Sequence, residues 1–468
     1  MTKNISQRLS TKLAFGTTLI AAMLSGCASK IDTEQHQQLI ENFIAEAQIA
    51  PELSGQSEVN WWQQLQSPQL NQLISQSLAN NYDLRSSQLL LESALARLGA
   101  QKAKYLPQGG VTIDSQRTNL TTPYQRQSSA AIGFDWQVDL FGRISALVNA
   151  ANASAMSQAE QLRALQIEVV SAVVKGYISY QGNLKKQQII EMQIDALKQS
   201  IEVLAAQVEE GMANELDLNR TRAQLNQQQA LLPEISYAQY RDSSMLALLT
   251  GRLVNDLSLP DEQQILAQPF AVALAQPDHA IALRPDISRA LFEFSQANSL
   301  SVAAAKALYP NISLSAFTGV LSLGNNQLKD SQHQWQVAPQ IEWSLLSYPA
   351  LLAQRDAQQL LSEAAYNHYQ QAVLKAMSDS ELSLQSLDKQ VKQKYYAERR
   401  YLHANKAFSQ ANAMYQEGQI PYLELLDARR DVLIAQENAV DSTISSLIAK
   451  VSAYQAFNGR WSSALTTL

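Results

Sequence analysis

Apolar and polar positions alternate strictly in two short runs of this chain. Ile132, Phe134, Trp136, Val138 and Leu140 take turns with Gly133, Asp135, Gln137 and Asp139; Trp335, Val337, Ile341, Trp343 and Leu345 do the same against Gln336, Gln340, Glu342 and Ser344. One apolar and one polar face at period two predicts strands of a membrane barrel around a wet lumen. Weaker partners are Val111 and Ile113 after Pro107, and Ile312, Leu314 and Ala316 after Pro310. Pro339 interrupts the last run and predicts a bulge or bend. Two hairpins covering a soluble core is the alternative, but no amphipathic element nearby offers such a core.

Between the strands the pattern turns helical and unusually long. Residues 143–210 contain only Gly176 and Gly182 as breakers, and residues 350–417 contain neither Gly nor Pro. A helix of either length reaches about 100 Å, far beyond the ordinary globular helix. Ile190, Ile194, Leu197, Ile201, Leu204 and Val208 follow a heptad seam. Gly211 and Gly418 then stop the rods as C′ residues, and Pro421 suits the first turn of the returning helix. Shorter helices over 83–105 and 213–250 together approach the rod length, so the two are expected to stack end to end beside it. Pro233 predicts a kink in the second of them.

The order helix, strand pair, rod, tip, helix occurs twice. Asp83 and Pro107 recur as Asp286 and Pro310 at an offset of 203; Trp136 recurs as Trp343 and Gly211 as Gly418 at 207; Gly251 recurs as Gly459 at 208. The chain therefore divides into a signal (1–26), an N-terminal segment (27–66), a first repeat (67–251), a connecting equatorial segment (252–282), a second repeat (283–461) and a tail (462–468). Four strands cannot close a barrel, and lipid does not tolerate open edges. Three copies give twelve strands, so a homotrimer is expected.

Lys3, Arg8 and Lys12 precede a largely apolar run from Leu13 to Leu24 with no acidic residue, the pattern of an export signal. The single cysteine, Cys27, follows Leu24, Ser25 and Gly26, and with one cysteine no intrachain disulfide forms. This run resembles the lipobox of bacterial lipoproteins, which implies that Cys27 becomes the acylated first residue. Ala28, where a lipoprotein kept in the inner membrane would typically carry Asp, points to the outer membrane. Among the 468 residues, 46% are hydrophobic and 17% charged, which marks a folding chain. Its 42 acidic and 36 basic side chains include no Lys/Arg-rich run, which argues against nucleic acid as a partner.

The motifs Asn81-Tyr82-Asp83-Leu84, Trp136-Gln137-Val138-Asp139-Leu140-Phe141-Gly142-Arg143, Arg284-Pro285-Asp286-Ile287 and Tyr422-Leu423-Glu424-Leu425-Leu426-Asp427-Ala428-Arg429-Arg430 resemble those of the TolC-like outer-membrane efflux factors, in particular their lipoprotein subset. The resemblance covers nearly all of the mature chain. It implies a mainly α fold with a membrane β part: duplicated long-helix rods forming a trimeric α-barrel in the periplasm, and a 12-stranded β-barrel in outer-membrane lipid. It also implies a periplasmic adaptor (membrane fusion protein) and an inner-membrane transporter as partners. The tips Glu210, Gly211, Met212, Glu417, Gly418 and Gln419 are expected to meet the adaptor, although both glycines also serve as helix caps. The family's best-studied channel has a basic residue where this chain has Ile420, so the closing network is expected to be wired differently.

Glu424 and Asp427 lie three apart and share a helix face. They match the family's acidic entrance ring, Tyr415 matches a tyrosine of its closing network, and the repeat places Arg220 in the slot of Asp427. A cation-attracting constriction follows, with Arg220 or Arg222 as candidate partners holding it shut; the plainer alternative is a solvated helix face.

No HExxH, GxSxG, Walker loop or GxGxxG is present, and His36, His279, His333, His368 and His403 lack ligand spacing. No enzyme activity, cofactor or metal site is expected. Three classes compete: the exit duct of a drug-type tripartite pump, with heavy-metal efflux as a variant; the exit duct of a type I protein-secreting system; and a structural coiled coil. The alternating strands argue against the third, and by the family resemblance the lipobox favours efflux.

Overall fold

The computed structural model describes residues 60–118, 125–268, 270, 284–323 and 332–457. The expectations for the signal, Cys27 and Gly459 fall outside them. The first half holds α1 (Pro68–Asn80), α2 (Tyr82–Lys102), β1 (Gln108–Thr118), β2 (Gln125–Val138), α3 (Arg143–Glu209) and α4 (Glu215–Leu249). The second holds α5 (Pro285–Lys306), β3 (Asn311–Leu323), β4 (Gln332–Glu342), α6 (Tyr348–Gln416) and α7 (Tyr422–Phe457). The rods α3 and α6 run 67 and 69 residues. No described helix combines the length and apolar character needed to cross a membrane.

The strands form one antiparallel sheet in the order β1-β2-β3-β4. Its register puts Val111 beside Ile132, Trp136 beside Leu314, and Ala316 between Phe134 and Val337. One residue along, Asp135 pairs with Ser315, and Ser313 stands between Gln137 and Gln340. Because paired residues share a face, the sheet is apolar on one side and largely polar on the other. The bulge expected at Pro339 does not occur. Pro339 pairs with Leu314 in unbroken register; within the chain β4 has a neighbour on one side only, and proline's missing N–H can face away from β3.

Where strands hand over to helices, the aromatic motif residues act as fasteners. Trp136 Nε1 donates to the Tyr105 carbonyl at 2.9 Å, and Trp343 Nε1 to the Leu308 carbonyl at 3.1 Å. Asp139 accepts from the N–H groups of Ile144 and Ser145, both at 2.8 Å, and so caps α3. Gly142, at φ +74°, makes the turn between them. Burial pushes the Asp139 carboxyl up, but these bonds, the Ser145 hydroxyl and the charge of Lys306 hold it below its ordinary value.

Rod α3 packs on α2, α4, α5 and α7, whereas α6 packs on α5 and α7. The heptad reading holds: Ile190, Ile194, Leu197 and Leu204 are buried, and the first two cluster with Ile235 of α4. The two rod glycines have a packing reason. A side chain at Gly176 would strike Met245 and Leu246 of α4, and one at Gly182 would collide with Ile444 of α7. Helix α4 runs through Pro233 as one element. Beside the middle of α3 sits the largest core, where Trp61 stacks on Tyr454 and Phe270 at centroid distances of 5.0 and 5.7 Å. Glu262 pins the equatorial segment there, accepting from Ser67 and, at 2.9 Å, from the Tyr177 hydroxyl.

Candidate functional site

Both tips end in the same hydrogen-bonded stop. Met212 N–H reaches the Gln207 carbonyl and Gly211 N–H that of Val208; Gln419 N–H reaches Met414 and Gly418 N–H reaches Tyr415. These are Schellman pairs, and they need a left-handed C′ residue. The glycines supply it at φ +74° and +72°, and a side chain at either would meet nothing within 4 Å. Backbone conformation alone demands glycine there. Glu210, Gly211, Met212, Glu417, Gly418 and Gln419 are all exposed. Pro421 stands one position before α7, where its carbonyl accepts from Glu424 N–H at 3.1 Å.

Just above the tips, α7 meets its three neighbours. The rings of Tyr415 on α6 and Tyr422 on α7 pack edge to face at 5.4 Å. Tyr422 Oη and Thr221 Oγ1 on α4 are 3.0 Å apart. Burial raises the Tyr415 phenol, and Tyr422 and Asp217 raise it further. Two turns along α7, Arg429 donates to Ser200 Oγ on α3 at 2.7 Å and lies over the Phe408 ring of α6 at 5.5 Å. Burial pushes its guanidinium pKa down.

Within the chain, the acids expected at the entrance are solvent-exposed and their ion pairs are local. Glu424 and Asp427 are exposed on α7, and Asp427 pairs with Arg430 of its own helix at 3.4 Å. Arg220 pairs with Asp217 of its own helix at 3.8 Å, and Arg222 is exposed. Among the described residues no ion pair joins Arg220 or Arg222 to Glu424 or Asp427 within the chain. Asp427 and Arg220 each have a partner one helical turn away on their own helix. Arg429 and Ser200 went unnoticed in the sequence because nothing in an isolated pair signals contact between distant helices.

The sequence profile described as "Outer membrane efflux protein" matches residues 73–252 and 276–459. Its two segments start 203 and end 207 positions apart, the same offsets as the internal duplication. The chain is 28% identical over 428 residues to the "Probable efflux pump outer membrane protein TtgC" of Pseudomonas putida, with 86% of each covered. It is 25% identical over 456 residues to the "Probable outer membrane lipoprotein SilC" of Salmonella typhimurium, with 94% of this chain and 97% of that one covered. The solved outer-membrane channel OprN superposes with a TM-score of 0.82 at 25% identity, covering 93% of this chain and 97% of that one. With duplicated rods, a two-faced sheet and both halves matched by one profile, this chain belongs to the outer membrane efflux protein family.

Proposed function

We propose that three copies assemble into the exit duct of a tripartite efflux pump, which passively conducts drugs or other small molecules delivered by a periplasmic adaptor and an inner-membrane transporter. One observation carries the assembly. The sheet ends in β1 and β4, and the helical layer ends in the α2/α4 pair and α6. In sequence β1 follows α2 and β4 precedes α6, so sheet and rods are open at corresponding edges. Unpaired edges are untenable in lipid. A head-to-tail contact that joins β4 and α6 of one copy to β1 and α2/α4 of the next closes both at once, as heterologous rings do. Exposed Leu374, Leu382 and Tyr396 on α6, with Leu90, Tyr237 and Leu248 on the other edge, suit burial in that seam.

The duct holds no energy source, so the driving force comes from the transporter. The exposed tips meet the adaptor, and acyl chains on Cys27 supplement the barrel as a membrane anchor. Native mass spectrometry in detergent tests the assembly: three chains are expected, and a stable folded monomer contradicts it. Crosslinks from Met212 and Gln419 positions to the adaptor support the docking, whereas crosslinks only from mid-rod positions oppose it. Loss of acyl labelling in Cys27→Ala supports the anchor; labelled mutant protein removes it.

A further inference from the structure

We infer that the cleft between the equatorial segment and helices α3, α6 and α7 is a binding site for a short acidic peptide. The cleft spans about 810 Å³, the size of a small-molecule site. Gln263–Ala267 of the equatorial segment form one wall, and Lys185, Lys394 and Gln436 stand on the three helices around it. On α6, Lys394 and Tyr401 are half-buried on the side that packs on α7. Tyr396, assigned above to the seam between copies, is exposed about 200° round the helix from Lys394. Closing that seam therefore does not use the face that lines the cleft.

The lining is unevenly charged. Lys185 and Lys394 meet one carboxylate there, Glu398, which lies 3.5 Å from Lys394 on the same helix. Among the described residues Lys185 has no ion-pair partner, and Asp261 of the equatorial segment accepts from the Gln188 and Gln263 amides at 3.0 and 3.2 Å. Lys450 adds a third cation: burial, and then the charge of Lys394, lowers its pKa. Half-buried ammonium groups in excess of carboxylates attract an anion. The rest of the lining selects its kind. Gln193, itself buried, donates to the Gln436 oxygen at 3.2 Å, which leaves the Gln436 N–H groups for a carbonyl. The Thr443 hydroxyl donates to the Ala439 carbonyl at 2.8 Å, so its oxygen is left to accept. Ile189, Leu266 and Val440 supply an apolar floor. Inorganic phosphate would use the ammonium groups alone, and a fatty acid would set hydrocarbon against unmet polar groups. A peptide with carboxylate side chains satisfies the lysines, the amide and hydroxyl, and the floor together. Bound across Lys185 and Lys394, it also links α3 to α6, which otherwise pack together chiefly through α5 and α7.

Fluorescence anisotropy of dye-labelled Ala-Glu-Ala-Glu and Ala-Gln-Ala-Gln peptides with the full-length protein in detergent tests this. Saturable binding of the acidic peptide is expected, with the neutral one at least about tenfold weaker. Lys185→Gln and Lys394→Gln are each expected to weaken the acidic peptide about tenfold, whereas Lys389→Gln, at an exposed position of α6, leaves it unchanged. Ala439→Leu, which crowds the cleft without altering a charge, is expected to weaken it as well. No saturable binding, equal binding of both peptides, or binding unmoved in both lysine variants overturns the site. Phosphate or oleate displacing the probe as well as unlabelled acidic peptide does overturns the peptide assignment. Native mass spectra of the same samples count the chains, so a failure of the trimer is distinguished from a failure of the cleft.

Discussion

Asn81 and Arg284, 203 positions apart, fasten equivalent joints of the two repeats: Asn81 Nδ2 donates to the Leu249 carbonyl at 3.1 Å, and Arg284 Nη1 donates to the Ala456 carbonyl at 3.2 Å. Each is the N-cap of a short helix, and each acceptor lies at the end of the helix returning from a tip. The duplication has kept the end-to-end junction and changed its chemistry. Asn81 also accepts from Asp83 and Leu84 N–H groups. Arg284 reaches further, to the Ala376 carbonyl at 3.2 Å and the Ser380 hydroxyl at 3.3 Å, and so ties α5, α6 and α7 together. Arg284→Ala is expected to cost about 2–4 kcal/mol, because buried carbonyls lose a charged donor; Asn81→Ala is expected to cost about 1–2 kcal/mol. Guanidinium unfolding of the two variants in detergent checks the order, and an equal loss contradicts it.

Asp286 makes the second junction acid-sensitive. Burial pushes its carboxyl up, but two Arg284 hydrogen bonds at 3.0 and 2.8 Å, the guanidinium charge and the Ile287 N–H together hold it below its ordinary value. A carboxyl lowered in the folded state contributes stability that is complete above its unfolded pKa, near 3.9. That contribution is lost as pH falls through the lower folded value. Melting temperature should therefore hold steady from neutral pH to about 5 and fall below about 4. Asp286→Asn should lie lower at neutral pH and fall less steeply in acid; a parallel fall removes Asp286 from the account.

Glycines that look alike in sequence should respond differently. Gly182→Ala places a methyl against Ile444 and is expected to cost about 1–3 kcal/mol, with Ile444→Ala restoring part of it. Gly211→Ala meets open space and pays only for its positive φ, about 1–2 kcal/mol, and Gly211→Asn should be milder. Thermal denaturation of the single variants and of the 182/444 double variant checks this. Rescue failing at 182 argues that the close approach to α7 is not the cause.

This contrast also locates what the sequence can reveal. The rods, the tips and the sheet faces were legible because each depends on local periodicity or on one residue's conformational preference. Duplication added the pairing of β1 with β2 and β3 with β4. Gly176 and Gly182 were visible only as breaks in a glycine-free run, since their reason lies on α4 and α7. Pro339 misled on the bulge because proline's effect depends on which side of its strand the missing N–H faces, and that is a tertiary property. The stack of Trp61, Phe270 and Tyr454 unites residues separated by hundreds of positions and leaves no periodic trace.

The entrance gives the sharpest expectation, because its ion pairs and its fasteners are different groups. Asp427–Arg430 and Asp217–Arg220 each join residues three apart on one helix. Such exposed pairs contribute about 0–1 kcal/mol and bind no helix to another. The links between helices are Tyr422 to Thr221 and to the Tyr415 ring, and Arg429 to Ser200 and the Phe408 ring. Together they attach the first turns of α7 to α3, α4 and α6. Removing Glu424 and Asp427 should therefore leave the resting conductance close to wild type while weakening cation selectivity and block by multivalent cations, since solvent-exposed carboxylates attract cations electrostatically. Tyr422→Phe combined with Arg429→Met should do the reverse, raising resting conductance with little change in selectivity. Arg429→Lys should lie between, keeping a donor for Ser200 but losing the guanidinium over Phe408. Single-channel recordings in planar bilayers separate these outcomes. If the acid-free variant opens and the Tyr422/Arg429 variant stays shut, carboxylate pairing between chains holds the entrance and these fasteners do not.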